Sequence, residues 1–293
     1  MWHRLTDYQG QLNLALTLQA GQVFCWEKQG DEWVGVIDNT VYYLVQTEDD
    51  HVDFRTYPEC SKKESLRTFF QLHTDLLSFL IRWKSIDPVF DKLVDLNLFQ
   101  GLRICQQDPF ECLISFIVSA NNNIKRISQN LRSIRKSFGK HLVDNVHAFP
   151  TVEELATATV DELKGMGLGY RARYICETVK LWDSSKRFLI ESPESLIQCR
   201  TELMQFPGVG RKVADCVLLY SMGFDQVVPV DTHMLQLAQT LSGRQIKKDN
   251  AMHAFVENFM TEKFGHKAGW AQAYLFAAKI HNKTDTSKKL KTK

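Results

Sequence analysis

The sequence lacks any stretch of apolar residues long enough to cross a membrane. A transmembrane helix needs about 20 consecutive apolar residues, and no run in this chain approaches that length. The amino-terminal segment, MWHRLTDYQGQLNLALTLQ, also lacks the apolar core of a signal peptide, because polar residues interrupt it. These absences exclude an integral membrane protein, and we expect an intracellular protein with no membrane partner.

Closely spaced cysteine pairs are missing as well. The cysteines are dispersed along the chain, and no two of them have the Cys-x-x-Cys spacing that many zinc sites use. Their number, 7, is odd, which is typical of free thiols in a reducing compartment. We therefore expect no disulfide framework, no metal site and no cofactor.

The net charge is small, but its distribution is uneven. The 293 residues carry 36 Lys and Arg against 34 Asp and Glu, a net charge of +2. Residues 1–60 contain three basic and ten acidic side chains, whereas residues 100–140 contain seven basic and two acidic ones. A local basic surface fits a protein that binds a polyanion with one face. A solvated helix face explains the same charge equally well.

Hydrophobic patterning divides the chain into a strand-rich start and a helical remainder. Residues 23–46 are rich in Val, Ile, Trp and Tyr, and turn signals at 29–31 and 38–39 interrupt them, which predicts an antiparallel sheet. From about residue 62, apolar residues three and four apart indicate helices. The segment PFECLISFIVSA at 109–120 is almost wholly apolar and predicts a buried helix. Further helices are predicted at 124–138, 151–164, 171–183, 193–205, 210–222, 232–241, 249–264 and 268–281.

The segment FPGVGRKVADC at 206–216 carries the strongest functional pattern. A predicted helix ends at its Pro-Gly-x-Gly turn, and another helix begins at once. Gly208 and Gly210 let the backbone turn sharply and approach another group. The free N–H groups of the new helix's first turn then form an anion site. A helix-hairpin-helix that binds a nucleic-acid phosphate is one interpretation, and a plain helix connector is the other.

Lys212 and Asp231 are the candidate catalytic residues. Lys212 lies in the first turn of the second helix, where the positive end of the helix dipole disfavours an ammonium and so favours a neutral amine nucleophile. Asp231 is placed to cap the helix predicted at 232–241, which would hold its carboxylate rigidly. Each residue alone is more often a surface lysine or a structural cap. Together, after an anion-binding hairpin, they favour catalysis.

On these residues the sequence resembles the helix-hairpin-helix/Gly-Pro-Asp superfamily of DNA base-excision glycosylases. Within it, the similarity is to the 8-oxoguanine DNA glycosylase/AP lyase family. The matching blocks span roughly residues 12–281 and are GQVFCW at 21–26, QDPFECL at 107–113, SANNNI at 119–124, LGYRARY at 168–174 and GWAQA at 269–273. The resemblance implies a TBP-like antiparallel sheet on a two-part helical body. It also implies an enzyme that flips an oxidised purine out of duplex DNA, excises it and cleaves the abasic site.

The resemblance implies roles for the catalytic and pocket residues. Lys212 would attack the sugar C1′ and form a Schiff base, and Asp231 would stabilise the positive charge that develops on the sugar. The pocket would consist of Gly21, Cys216, Pro229, Gln272 and Phe276. In it, Phe276 and Cys216 would sandwich the base, while Gln272 would bond its Watson–Crick edge. The Gly21 carbonyl would accept from N7–H of 8-oxoguanine and repel the bare N7 of guanine. Taken alone, Phe276 and Cys216 are more often core residues.

A second set of residues would hold the DNA. By resemblance, four side chains would enter the duplex and hold the cytosine left without its partner: Asn121, Arg126, Tyr170 and Arg171. Phosphate contact is the other interpretation of the two arginines. The hairpin glycines Gly208 and Gly210, with His233, would bind phosphate.

The sequence departs from related families at three places. No cysteine follows Cys216, so the carboxy-terminal four-cysteine iron–sulfur loop of endonuclease III-like and MutY-like relatives is absent. Lys212 argues against the monofunctional alkyl-base glycosylases, which lack this lysine. At position 281 some relatives have an arginine that helps to read cytosine, and His281 stands here, so a strict preference for cytosine is in doubt.

The predicted fold is therefore α+β, a small TBP-like antiparallel sheet packed on a mostly helical body that contains a helix-hairpin-helix. We expect a sheet domain with flanking helices at 1–100, a helical body at 101–281 whose two lobes the sequence does not separate, and a basic, frayed tail at 282–293. The expected partner is double-stranded DNA containing an oxidised purine, bound by a monomer. A non-catalytic helix-hairpin-helix DNA-binding protein is the alternative, although such a protein has no need of Lys212 together with Asp231.

Overall fold

An antiparallel sheet occupies the amino-terminal part of the structure. The structure, a computed structural model, describes residues 1–6, 11–47, 51–60, 62–182, 195–247 and 251–291. Its main sheet has the order β1-β5-β4-β3-β2 and is formed by β1 (His3–Leu5), β2 (Trp26–Gln29), β3 (Glu32–Ile37), β4 (Thr40–Gln46) and β5 (Val52–Tyr57). The predicted sheet is confirmed, and so is the α+β class.

Local turn chemistry sets the register of the sheet. Asp38 and Asn39 both have positive φ, 49° and 58°, and connect β3 to β4 so that Ile37 pairs with Thr40. Two residues of positive φ form the tight turn that matches the twist of a hairpin, and Asn and Asp tolerate this conformation. One face of the sheet buries Trp26, Tyr42 and other apolar side chains in a core of its own.

Helices account for most of the rest of the chain. In order they are α1 (Leu14–Leu18), α2 (Lys63–Phe69), α3 (Leu76–Ile86), α4 (Pro88–Leu93), α5 (Leu96–Phe99), α6 (Pro109–Ser119), α7 (Ile124–Phe138), α8 (Val152–Leu155), α9 (Val160–Gly165), α10 (Arg171–Leu181), α11 (Leu196–Leu203), α12 (Arg211–Tyr220), α13 (Thr232–Ser242), α14 (Met252–Phe264) and α15 (Ala268–Lys291). A short hairpin, β6 (His141–Val143) and β7 (Val146–His147), follows α7. Across the described residues, no helix combines the length and the apolar character needed to cross a membrane.

Two helix predictions differ from the structure. The single helix predicted at 151–164 is two helices, α8 and α9, because Thr151 and Thr159 each begin a capping box with the glutamate three residues later. The last helix continues to Lys291 instead of ending near residue 281. Residues 282–291 contain neither Gly nor Pro, so nothing in the backbone stops the helical hydrogen bonds there.

The helical body has two hydrophobic cores, which separate the lobes that the sequence left joined. One core collects apolar side chains of α6 to α12, including Phe116, Ala172 and Val217. The other joins α3, α4 and α5 to α13, α14 and α15. Helix α12 contributes Val217 to the first core and Leu219 to the second, so it lies at the junction between them. The proposed domain boundary near residue 100 stays a prediction.

Candidate active site and nucleic-acid interface

The hairpin between α11 and α12 is shaped by two glycines with different tasks. Gly208 has a φ of +78°, and a Cβ there would lie 2.3 Å from Cδ2 of the Tyr174 ring. Only glycine fits such a close approach in this backbone conformation. Gly210 has an ordinary φ of −90°, caps α12 without a side chain and faces open space. Gly210 is exposed directly before α12, and no side chain caps the first N–H groups of that helix in the described structure, as an anion site requires.

A buried ion-pair network fixes α12 in place. Asp215 is 1% exposed and accepts from Arg200 Nε at 2.7 Å and from Arg211 Nε at 3.1 Å. Both arginines also bond Glu257 of α14. Burial raises the pKa of the Asp215 carboxyl, and the two arginines oppose that rise. Because breaking a buried pair of this kind is costly, the network holds the helix that carries Lys212 rigidly between its neighbours.

The structure brings Lys212, Cys216 and Asp231 together. Lys212 is half-buried, and its Nζ lies 5.3 Å from the centroid of the Phe116 ring. Cys216 follows Lys212 by one turn of α12 and lies on the same face of the helix. Burial raises the pKa of the Cys216 thiol, the neighbouring Lys212 lowers it, and the carboxylate of Asp231 raises it. Cys216 is therefore a neutral thiol, and it lies close enough to both candidate catalytic residues for their charges to shift its pKa.

Asp231 is held as the sequence predicts. Its φ of −112° is that of an extended residue, and its side chain accepts from the Met234 N–H at 2.7 Å, which makes it the cap of α13. The preceding segment is anchored on both sides, because Val228 and Val230 belong to the second core and Pro229 between them is buried. The cap fixes one carboxylate oxygen, and so it fixes the orientation of the whole group at the junction of the lobes.

Gln272 and Phe276 form a second wall, on α15. The Phe276 ring contacts the ring of His233 edge to face, with centroids 6.0 Å apart, which places it beside the first turn of α13 and near Asp231. Gln272 precedes Phe276 by one helical turn and shares its face. Gln272 is 7% exposed, and its Oε1 is buried with no hydrogen-bond partner among the residues that the structure describes. A buried acceptor without a partner is costly, which suits a group that bonds a ligand.

The base of α15 is tied to the loop before Asp231. Asp225 accepts from Trp270 Nε1 at 2.8 Å and pairs with Lys267. The Gly269 N–H donates to the Asp225 carbonyl at 2.8 Å, and a Cβ on Gly269 would lie 2.5 Å from the Val227 carbonyl oxygen. These contacts explain why a glycine and a tryptophan begin this helix. They set the distance between the wall on α15 and the catalytic residues.

The residues expected to enter the duplex gather at the end of α6. Arg171 is 6% exposed and donates from Nε to the Ala120 carbonyl at 2.8 Å and from Nη2 to the Asn121 carbonyl at 2.9 Å. Asn121 is exposed with a φ of +49°, and the Tyr170 ring is 51% exposed. Asn121 and the exposed Tyr170 ring can thus contact a ligand, whereas Arg171 supports the loop that carries Asn121. The Tyr170 hydroxyl also donates to the Ala120 carbonyl, at 3.4 Å. Arg126 is exposed and donates to the Gly167 carbonyl at 3.1 Å.

Two contacts join this surface to the rest of the site. Tyr170 meets Tyr174, the ring that packs on Gly208, with centroids 5.7 Å apart. Gly21 has a φ of +76°, and a Cβ there would lie 3.1 Å from Cδ1 of Ile124, at the start of α7. The hairpin, the Asn121 loop and Gly21 therefore form one continuous surface. His281 is half-buried against Phe99, with ring centroids 5.7 Å apart in an edge-to-face contact.

Two site residues escaped the sequence patterns. Phe116, which lies beneath Lys212, stacks on Tyr220 with the ring planes 12° apart and the centroids 5.5 Å apart. Ile124, which contacts Gly21, is 49% exposed despite its apolar side chain. The pattern around Phe116 is that of any buried helix. For Ile124, an apolar residue directly after three asparagines was the available signal.

Two protein-family models match successive parts of this chain. The family described as 8-oxoguanine DNA glycosylase, N-terminal domain, matches residues 4–113, and the HhH-GPD superfamily base excision DNA repair protein matches residues 114–260. N-glycosylase/DNA lyase OGG1 of Arabidopsis thaliana is 33% identical over 95% of this chain and 80% of its own. N-glycosylase/DNA lyase of Saccharomyces cerevisiae is 34% identical over 94% of this chain and 86% of its own.

Solved structures give the same result. The apo form of Clostridium acetobutylicum 8-oxoguanine glycosylase/lyase superposes with a TM-score of 0.81 at 30% identity, over 95% of this chain and 98% of that one. Its complex with double-stranded DNA containing cytosine opposite 8-oxoguanine gives 0.79 at 28% identity, over 97% and 98% of the two chains. The two family matches together span residues 4–260, and each of the two relatives covers at least 94% of this chain, so the sheet and the helical body are both included. The chain therefore belongs to the 8-oxoguanine DNA glycosylase family of the HhH-GPD superfamily.

Proposed function

We propose that Lys212 is the nucleophile with which this protein, a bifunctional DNA repair glycosylase, excises 8-oxoguanine and cleaves the abasic site. Its relatives named N-glycosylase/DNA lyase and 8-oxoguanine glycosylase/lyase support both activities. The observation that carries the assignment is the position of Lys212. It follows the exposed hairpin by two residues, on the helix at the junction of the two cores, and the charges of both Lys212 and Asp231 act on Cys216, one helical turn further on.

The chemistry follows from these positions. The Lys212 lone pair attacks C1′, the C1′–N9 bond breaks, and the base leaves with the bonding electrons and takes up a proton. Asp231 stabilises the positive charge that develops on the sugar, because a fixed carboxylate in a site that excludes water acts strongly there. The sugar ring opens to the Schiff base, which loses a proton from C2′ and releases the 3′ phosphate. Water then hydrolyses the Schiff base and frees Lys212.

The remaining site residues bind the base, the duplex and the phosphates. Cys216 and Phe276 enclose the base from opposite walls, Pro229 closes the pocket between them, and the unpartnered Gln272 oxygen takes a donor on the base edge. Asn121 and Tyr170 enter the duplex where the base has left. The exposed N–H groups after Gly208 and Gly210, together with His233, hold phosphates.

We further propose that Arg126 reaches the cytosine opposite the lesion by exchanging its bond to Gly167 for one to the base. Arg171, which lies beneath the Asn121 loop, contributes to holding the same cytosine. The partner is DNA, and the protein acts as a monomer wherever the cell keeps its DNA. Sedimentation of the protein with a lesion duplex, at one protein per duplex, would support the monomer.

Trapping with borohydride tests the proposal. Lys212→Gln should abolish base release, strand cleavage and the trapped covalent adduct, while binding of a lesion duplex is retained, because glutamine preserves most of the side chain but not the nucleophile. Lys180→Gln, which changes an exposed lysine at the far end of α10, is the matched control and should behave as the wild type. A Lys212→Gln adduct formed at a rate near that of the wild type would refute the assignment. A wild type that forms no adduct would favour the non-catalytic DNA-binding protein.

A further inference from the structure

Gln22, the residue after Gly21, is almost completely buried and forms four hydrogen bonds. It is 3% exposed. Its Nε2 donates to the Thr17 carbonyl at 3.1 Å and to the Arg103 carbonyl at 2.7 Å. Its Oε1 accepts from the Cys105 N–H at 2.9 Å, and its own carbonyl accepts from Gln107 Nε2 at 2.9 Å. The side chain thus uses both of its donors and its acceptor on backbone groups from two separate segments, which fixes its orientation.

The groups that hold Gln22 are themselves rigid. Arg103 is 1% exposed, and its guanidinium donates to the carbonyls of Gln11 at 2.6 Å and Thr74 at 2.8 Å. The Arg103 N–H also donates to the Thr17 hydroxyl at 3.1 Å. Because a buried guanidinium that loses such bonds is very unfavourable, this hub resists displacement.

A second link leads from Gln22 to the catalytic helix. The Gln107 N–H donates to the Tyr220 carbonyl at 2.9 Å, at the last residue of α12, and the Ser221 hydroxyl donates to the Gln107 carbonyl at 3.0 Å. Gln107 therefore bonds Gln22 with its side chain and the end of α12 with its backbone. The position of residues 21–22 is in this way tied to the helix that carries Lys212.

Gly21 itself has little to hold it. Its φ of +76° lies in the region that glycine reaches freely, and glycine has the largest conformational freedom to lose. Within the ranges that the structure describes, no protein group donates a hydrogen bond to the Gly21 carbonyl oxygen. An acceptor that distinguishes N7–H from a bare N7 must nevertheless point in one direction, because hydrogen bonds weaken steeply when misaligned.

We propose that Gln22 is a positioning residue that aims the Gly21 carbonyl at N7 of the base and so sets the selection of 8-oxoguanine over guanine. This inference rests on the proposed function. Gln22 touches neither the base nor the sugar in this scheme. It acts through Gly21, and the link through Gln107 keeps that carbonyl in register with Lys212.

The test compares base excision with cleavage of a preformed abasic site, which has no base for Gly21 to read. Gln22→Met preserves the volume of the side chain and removes its hydrogen bonds. Single-turnover excision of 8-oxoguanine should fall by about tenfold or more, roughly the loss of one aligned hydrogen bond. The rate of abasic-site cleavage should stay within about twofold to threefold of the wild-type rate. Both rates are divided by the active fraction of the protein, which borohydride trapping measures.

Gln46→Met is the matched control. The Gln46 side chain also bonds backbone on both sides, to the Leu12 carbonyl and the Leu14 N–H at 2.8 Å each, but it has no bond to residues 21–22. In Gln46→Met, the rate of 8-oxoguanine excision and the rate of abasic-site cleavage should fall by the same factor or not change. If Gln22→Met does not fold, Gln107→Met removes only the bond to the Gln22 carbonyl, and a smaller but equally selective loss is expected.

Three results separate the possibilities. A selective loss of excision in Gln22→Met, or in Gln107→Met, supports the positioning role. Equal losses of both activities, or no loss, overturn it and leave Gln22 a structural residue. A wild type that cleaves abasic sites but does not excise 8-oxoguanine refutes the proposed function, whatever the variants do.

Discussion

Replacement of either hairpin glycine by alanine should separate folding from DNA binding, because the structure gives the two positions different surroundings. Gly208 has a φ of +78° and lies against the Tyr174 ring, with Cδ2, Cε2 and Cγ at 2.3, 2.8 and 2.9 Å from a Cβ placed there. Gly210 has an ordinary φ, and no atom of the described part of the chain lies within 4 Å of its Cβ position. The same chemical change therefore meets a crowded, strained site in one case and open space in the other.

The magnitudes follow from these geometries. A left-handed conformation costs an L-residue about 1–2 kcal/mol, and overpacking against the ring adds about 1–3 kcal/mol. Gly208→Ala should thus lower the free energy of unfolding by about 2–5 kcal/mol. If the half-buried Tyr174 swings away, only the lower part of that range remains, and its contact with Tyr170 is lost. Gly210→Ala removes a good cap residue and should cost about 1 kcal/mol or less.

Urea unfolding followed by tryptophan fluorescence measures the stability of both variants, and titration of an undamaged duplex at fixed salt measures their DNA affinity. Gly210→Ala should bind the duplex about tenfold more weakly, because its methyl group occupies the place of a phosphate that bonds the helix N–H groups. Gly208→Ala should lose stability as well as affinity.

Two outcomes would refute this reasoning. A Gly208→Ala protein as stable as the wild type would mean that the Tyr174 contact does not constrain the hairpin. A Gly210→Ala protein that binds duplex DNA with wild-type affinity would mean that the hairpin does not bind phosphate.

The remaining predictions concern the pocket and the opposite base. Asp231→Asn retains the helix cap, since Asn caps as well as Asp, but should slow single-turnover excision by about 10²–10³-fold; an unchanged rate would remove the electrostatic role of Asp231. Gln272→Ala should reduce the difference in binding free energy between lesion and undamaged duplexes by about 1–3 kcal/mol. An unchanged difference would mean that Gln272 does not contact the base. The wild type should excise 8-oxoguanine fastest opposite cytosine, more slowly opposite thymine and guanine, and slowest opposite adenine. His281→Arg should increase the difference in activation free energy between cytosine and the other opposite bases by roughly 1–3 kcal/mol, because a charged donor of fixed geometry replaces a single donor. A preference for adenine in single-turnover assays would overturn the roles given to Arg126 and Arg171.

Local chemistry made the elements and several site residues predictable from the sequence alone. The Asp38-Asn39 turn, the Asp231 cap and the glycines of the hairpin each follow from backbone preferences that act within a few residues. The buried helix at 109–120 and the helix at 124–138 follow from apolar spacing, and the structure places α6 and α7 there. The division of residues 151–164 into two helices also has a local cause, because each helix begins at a Thr-x-x-Glu capping box. The spacing of apolar residues alone did not predict this division.

The tertiary structure decided which of these residues meet. Lys212 lies over Phe116, about a hundred positions earlier in the chain, and Gln22 bonds Arg103 and Gln107 across more than eighty residues. The family resemblance implied the meeting of the catalytic residues, but no pattern of composition or spacing contains such pairs, because they depend on how two helical cores and a sheet pack against one another. Local preferences determine the conformation of a turn or a cap within its own few residues, whereas the direction of the Gly21 carbonyl depends on buried hydrogen bonds that exist only after the distant segments have packed.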